Sequence, residues 1–146
     1  MAGERIIVRG AQTTLEASGA SVANNAVVAA TTSYNSGTTG GGYPDAEFVL
    51  TAIFSTAPTE STVVSLLARP LDLDGTSDAQ VPEAARPTRV IGSFVVDNVT
   101  TAQTMVLLAR ELPEIAEYYL YNNGTGQTIA AGWSLKVKPR SEKAAA

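Results

Sequence analysis

The chain is dominated by apolar and polar side chains that alternate with a period of two. Within Ala46–Phe54 every second residue is alanine, phenylalanine or leucine, and the residues between them are Glu47, Val49, Thr51 and Ile53. Successive side chains of a β-strand point to opposite faces of the sheet. The pattern therefore predicts a central strand with one dry face.

Other segments show the same alternation or are rich in β-branched and aromatic residues. In Trp133–Val137 three apolar residues alternate with Ser134 and Lys136, which predicts a strand with one face in the core and one in water. The further predicted strands are Arg5–Arg9, Thr13–Ala17, Ala26–Thr31, Thr62–Ala68, Arg89–Val96, Thr104–Ala109 and Ile115–Tyr121. With turn residues between them, these segments predict an all-β, antiparallel β-sandwich of about eight or nine short strands.

A helix is the competing interpretation for Glu60–Arg69 and Pro113–Tyr121. Valines and a threonine in the first segment, and a cluster of tyrosines in the second, favour the pleated surface of a sheet. We therefore expect strands in both places.

Residues 1–146 are predicted to form a single domain. Ser33–Pro44 holds four glycines and is expected to be a mobile surface loop, and Leu71–Pro87 is expected to cross the outside of the sandwich. A short N-terminal arm, residues 1–4, and a basic C-terminal tail, residues 139–146, flank the sandwich.

Charge and composition exclude several classes of function. The chain has 10 basic and 14 acidic residues, a net charge of −4, and neither histidine nor cysteine. A net-acidic domain is poorly suited to nucleic acid or to anionic membrane, and it lacks the usual ligands of zinc and the usual nucleophile pairs. No apolar stretch follows the charged start of the chain, so we expect a protein that is not secreted and does not bind a membrane.

Two acidic clusters contain residue types that occur in metal or catalytic sites. Asp72–Asp78 is similar to a calcium loop, but Pro70 falls where the first EF-hand ligand is needed and Val81 where the closing glutamate is needed. Glu111, Glu114 and Glu117 have no other feature of a catalytic carboxylate pair. We expect solvated turns and an exposed charged rim, with no catalytic site, no metal site and no cofactor.

Four of the nine aromatic residues lie near the predicted last hairpin, where they allow two interpretations. Flat rings can pack in the core, or they can form a platform that binds a sugar or a protein. Tyr119 and Tyr121 share one face of the strand and Tyr118 the other, so at least one side is expected to be in the core; the fourth aromatic residue is Trp133.

Basic residues are concentrated at the end of the chain. No lysine or arginine occurs between Gly10 and Ala68, whereas Lys136, Lys138, Arg140 and Lys143 lie in the last eleven positions. This segment is either a frayed polar end or an arm that docks on an acidic neighbour.

Three segments together resemble small structural proteins from the virions of tailed bacteriophages. They are Gly3–Gly10, Arg86–Phe94, and the stretch from Tyr118 through Gln127 to Trp133–Val137. Within that group the resemblance is greatest to capsid decoration, or cement, proteins. It implies a jelly-roll-like β-sandwich that binds in many copies outside the phage head and stabilises it.

The partner implied by this resemblance is the major capsid protein, and the chain is expected to be multicopy or homo-oligomeric on a symmetric lattice. It would be made in the bacterial cytoplasm and reside on the capsid surface of the virion. The expected partner contacts are Arg5, Arg9, Tyr34, Tyr43, Lys136, Lys138, Arg140 and Lys143. The alternatives are a tail or fibre component, or a carbohydrate- or receptor-binding module.

Overall fold

A computed structural model describes residues 3–87 and 89–144, and all regular structure in this part of the chain is β-strand. Ten strands are present: β1 (Arg5–Arg9), β2 (Thr13–Gly19), β3 (Val27–Ala29), β4 (Tyr34–Asn35), β5 (Asp45–Ala52), β6 (Val63–Pro70), β7 (Val90–Val95), β8 (Gln103–Ala109), β9 (Ile115–Asn123) and β10 (Trp133–Ala144). Each of the nine predicted strands is found, with bounds shifted at several ends. Glu60–Arg69 and Pro113–Tyr121 contribute strands rather than helices.

The strands form two antiparallel five-stranded sheets. The first sheet has the order β1-β10-β5-β8, and β2 also pairs with β10. The second has the order β3-β9-β6-β7, and β4 also pairs with β9. The predicted antiparallel β-sandwich is confirmed.

Strand pairs are nested along the chain. β6 pairs with β7, β5 with β8, β3 with β9, and β1 and β2 with β10. The chain is thus one long hairpin whose paired arms are rolled over two sheets, which is the topology of a jelly roll.

One dry core fills the space between the sheets. The alternate residues of the central strand β5, together with Phe54, are almost completely buried, as its period-two pattern predicts. Trp133 lies in the same core, and its indole occupies the space that a Cβ atom at Gly19 would need. The Trp133 Nε1–H donates to the carbonyl oxygen of Ala20 at 2.7 Å, so the one polar atom of the ring is satisfied.

The long connection between β6 and β7 covers part of the outer face of the second sheet. Leu67 and Tyr119 point to that face, yet both are buried. Arg69 holds the connection there: its Nε donates to the Ala79 carbonyl at 2.8 Å, and its guanidinium lies 3.7 Å from Asp78. Leu71–Pro87 therefore runs across the outside of the sandwich, as expected.

Part of the segment Ser33–Pro44, which was expected to be a surface loop, packs against β9, while most of its other residues are exposed. Tyr34 pairs with Ala116 of β9, and the Ser36 amide donates to the Glu114 carbonyl at 2.7 Å. Gly40 is buried directly against the Tyr34 hydroxyl, where a Cβ atom would collide with it. At Gly40 the absence of a side chain is needed for close packing, whereas Gly37, Gly41 and Gly42 are exposed.

The described part of the C-terminal segment, residues 139–144, is strand, in contrast to the tail expected for residues 139–146. Residues 139–144 continue β10, and residues 140–144 pair with β1. Proline has no amide hydrogen, but the Pro139 carbonyl accepts a bond from the Gly10 amide at 2.9 Å. Ala145 and Ala146, and Met1 and Ala2 of the predicted arm, lie outside the described residues.

Candidate functional site

The outer face of the first sheet gathers basic residues from the end of the chain. Lys136, Lys138 and Arg140 point to this face, since Val137 and Pro139 between them are buried. On β5 their neighbours in register are Val49, Glu47 and Asp45 respectively.

β1 brings the start of the chain to the same face. Arg9 is in register with Arg140, so Arg9 and Arg5 share the side of the sheet that Arg140 faces. Five of the eight predicted contact residues therefore lie together, although Arg5 and Lys136 are far apart in sequence.

Two glutamates tie these arginines into a network. Glu47 lies 3.0 Å from Arg9 and 3.8 Å from Arg140. Glu142 lies 3.2 Å from Arg140, 3.3 Å from Arg110 and 3.8 Å from Arg5. The Arg140 side chain is only 11% exposed, so it stabilises the network instead of presenting its charge to solvent.

The network leaves an excess of positive charge, and we call this surface the basic face. It consists of six basic residues, Arg5, Arg9, Arg110, Lys136, Lys138 and Arg140, with the four carboxylates Asp45, Glu47, Glu111 and Glu142. Neither Lys136 nor Lys138 is within ion-pair distance of a carboxylate belonging to the described residues. An acidic partner could pair with these two ammonium groups.

β1 and the end of β10 form a two-stranded terminal ribbon, Arg5–Arg9 with Arg140–Ala144. β5 pairs with β10 only as far as Arg140, so the ribbon continues past the last β5 pair. Ile6 and Ile7 point to opposite faces of the ribbon, and they are 44% and 48% exposed. The ribbon thus carries aliphatic side chains in water on both faces.

The other predicted contact residues are placed differently. Lys143 is exposed on the ribbon, opposite Ile6 and on the face away from Arg140. Tyr43 is half-buried, with its ring near Gly10 and Pro139. Tyr34 is fully buried, and its ring centroid is 6.5 Å from that of Tyr118. The expectation that Tyr34 contacts a partner is wrong, because the short strand β4 directs its side chain into the core.

The aspartate loop forms turns of its own. The Asp74 carboxylate accepts bonds from the Thr76 and Ser77 amides at 3.1 and 2.7 Å, and Asp78 accepts one from the Asp72 amide at 3.0 Å. The hydrogen bond from the Ser77 backbone and then that from Thr76 lower the pKa of Asp74. This is the geometry of a solvated aspartate turn.

Most of the clustered aromatic residues are in the interior. Tyr118 and Trp133 lie in the core, and Tyr119 lies beneath the β6–β7 connection, whereas Tyr121 is half-buried. The Tyr119 hydroxyl donates to Glu117 at 2.6 Å, and burial, followed by this bond, raises the pKa of Tyr119 to about 12. The interpretation as core packing therefore holds for Tyr118 and Trp133, while Tyr119 is buried on the outer face of the second sheet.

Sequence reasoning missed the acidic residues that organise the basic face and the aliphatic residues of the ribbon. Ile6 and Ile7 were within a predicted strand, but an unbroken apolar pair does not say which side faces water. Arg110 and Glu142 come together across the sheet, and no spacing along the chain encodes that contact.

Within the described ranges no helix is long and apolar enough to cross a membrane, and no group of three or more acidic side chains is arranged to hold a metal ion. Comparisons with protein-family descriptions, with curated protein sequences and with solved structures find no match to this chain.

Proposed function

We propose that the chain is a structural protein of a tailed-phage virion. In this proposal it is a decoration protein that binds the major capsid protein on the outer surface of the head and stabilises the shell. The support from sequence is the resemblance of its start, middle and end to virion structural proteins. The copies would be made in the bacterial cytoplasm and arranged on the symmetric lattice of the capsid.

The observation that carries the binding role is the terminal ribbon. A two-stranded ribbon is marginally stable in water unless a further strand or another surface covers it. Ile6 and Ile7 are exposed on its two faces, and neither belongs to the core of the sandwich. A groove or sheet edge of a capsid subunit would bury both isoleucines and complete the ribbon.

The basic face supplies the second part of the contact. It adjoins the ribbon through Arg5, Arg9 and Arg140, and its excess positive charge complements an acidic patch on the capsid. A standard contact buries about 800 Å² per partner. When copies bind a repeated lattice, effective concentration multiplies modest contacts of this kind, so a deep pocket is not needed.

Binding to capsids that lack the protein tests this proposal. Replacing Ile6→Asp together with Ile7→Asp should weaken binding at least tenfold, because the contact loses two buried aliphatic side chains. Ile53→Asp is the control: Ile53 directly follows the end of β5 that is distant from the ribbon, and it is 46% exposed. Its binding should equal that of the wild type.

The same particles report on stabilisation. Capsids coated with the wild-type protein should withstand higher temperature and osmotic stress than bare capsids. The proposal fails if the wild-type protein does not bind capsids, or if the ribbon variant binds as tightly as Ile53→Asp. Binding to tails, or to immobilised host glycan, would support a fibre or carbohydrate-binding function in its place.

A further inference from the structure

Both sheets have edges, where a strand presents unpaired backbone groups that can hydrogen-bond to another chain. Proteins block such edges with charged side chains, bulges, prolines or very short strands. In the described chain the edge strands are β1, β2 and β8 of the first sheet and β3, β4 and β7 of the second.

All but one of these edges carry a recognisable block. β1 has an arginine at each end, and β2 has two register shifts in its pairing with β10. β3 and β4 are only three and two residues long. β7 is interrupted by a register shift opposite Leu66 and Leu67.

β8 has none of these features. Its seven residues, Gln103–Ala109, contain no charge and no proline, and they pair with β5 in continuous register along one side. Val106 and Leu108 project from the outer face of the sheet and are 62% and 38% exposed. This edge is long, regular and apolar.

We propose that β8 pairs with β8 of a second copy of this chain, in antiparallel register about a two-fold axis at Val106. Val106 then lies opposite its own counterpart, and Thr104 lies opposite Leu108 of the other copy. The two first sheets become one continuous ten-stranded sheet.

Charge distinguishes this edge from the competing one. Antiparallel pairing centred on Val106 brings Arg110 opposite Ala102, so no like charges meet. The same arrangement of β1 about Ile7 places Arg5 opposite Arg9, and like charges directly opposite each other destabilise a sheet. Pairing about the central residue therefore suits β8, whereas the corresponding register at β1 is opposed by like charges.

The symmetry has a structural consequence. The two-fold axis is perpendicular to the sheet, so the outer faces of both copies point in the same direction. The two basic faces would then lie side by side, available to a single acidic surface.

Sedimentation velocity of the purified protein over a concentration series tests the pairing in the absence of capsids. The wild type should form dimers, and Val106→Lys should raise the dissociation constant of the dimer about tenfold or more, because two lysines are placed face to face. Val95→Lys is the matched control. Val95 is also 62% exposed, but it lies on the edge strand β7.

Charge complementation tests the register. One variant carries Thr104→Lys with Leu108→Lys, and the other carries Thr104→Glu with Leu108→Glu. Each should be monomeric by itself because like charges meet at both positions, whereas an equimolar mixture should form heterodimers. Circular dichroism confirms that both variants are folded.

A wild-type protein that stays monomeric throughout the series overturns the proposal, as does dimerisation that survives Val106→Lys, or a mixture without heterodimers when the wild type dimerises. If the wild type is monomeric and Val106→Lys loses only capsid binding, β8 pairs with a capsid strand and the second copy is the wrong occupant. Since these measurements contain no capsid, their result is independent of the proposed function.

Discussion

At the residue scale, Glu16 shows how a buried carboxylate can fasten one edge of the sandwich. One oxygen accepts a bond from the Ser18 amide at 3.2 Å, and the other accepts bonds from the Thr31 amide, at 2.8 Å, and from the Thr31 hydroxyl. The Thr31 hydroxyl is the largest cause of the lowered pKa of Glu16, and the backbone amides add to it. Burial of the side chain raises the pKa, but by less than the hydrogen bonds lower it.

This geometry predicts a pH dependence of stability. Because the pKa of folded Glu16 is below the ordinary value of 4.5, its contribution is fully present above that value and is lost as the pH falls through the folded pKa. Glu16→Gln should lower the free energy of unfolding at neutral pH by about 1–3 kcal/mol. It should also flatten the loss of stability on acidification.

Urea unfolding from neutral pH down to about pH 3 measures both effects. Glu60→Gln, at an exposed carboxylate, should reproduce the wild-type curve. A Glu16→Gln curve that runs parallel to the wild type over the whole pH range would contradict the role given to this carboxylate.

At the scale of single elements, β10 is the strand on which the first sheet depends. It pairs with β1 and β2 along one side and with β5 along the other. Its regular alternation ends at Pro139 in the sequence, so the strand itself was predictable as far as Val137. Its continuation was not, because residues 138–140 pair with β5 and residues 140–144 pair with β1, and both partners are distant in the sequence.

Truncation after Arg140 tests whether the ribbon belongs to the folded unit. Removing residues 141–146 leaves Arg140 and its contact with Glu47 in place. It removes four of the five residue pairs between β1 and β10. We expect β1 to detach, and the melting temperature to fall by about 4 °C for each kcal/mol lost.

Hydrogen exchange supplies the internal control for this truncation. Amides of Ile6 and Val8, which face β10, should lose protection, while amides of Ser134 and Lys136, which face β5, should keep theirs. An unchanged melting temperature together with unchanged exchange in β1 would restore the interpretation of this segment as a frayed tail.

Other strands show what the alternation of apolar and polar residues can and cannot predict. Both the strand β5 and its buried face could be predicted, because only one of its two sets of alternate residues is wholly apolar. β8 could be predicted as a strand, but Met105, Val106 and Leu107 are all apolar, so its exposed side could not be assigned. β4 is two residues long and too short for any periodicity to identify.

At the scale of the whole molecule, basic residues are in excess on the outer face of the first sheet, and acidic residues outnumber basic ones in the β6–β7 connection on the second. The basic face holds an excess of two positive charges on the first sheet, so the net charge of −4 requires −6 elsewhere. Three aspartates and Glu83 lie in the connection on the outside of the second sheet. An acidic surface should therefore attract the outer face of the first sheet and orient the protein with that face towards it.

Charge reversal on the basic face tests this orientation in the proposed capsid binding. Lys136→Glu together with Lys138→Glu should weaken attachment by about tenfold at low salt, and by less as salt screens the interaction. Arg86→Glu reverses an exposed charge in the β6–β7 connection and should have little effect. Equal, salt-independent binding by all three proteins would exclude the basic face from the contact.

The nested pairing of the strands also constrains the order of folding on the ribosome. β10 lies between β2 and β5, which do not pair with each other, and it is the last described strand to be synthesised. Until β10 leaves the ribosome, the first sheet lacks the strand that joins β1 and β2 to β5, and one edge of β5 is unpaired. Pairing between such distant segments is slow, typically milliseconds to seconds in all-β domains. Nascent chains are therefore the species most exposed to misassembly, and a chaperone would bind them before β10 is in place.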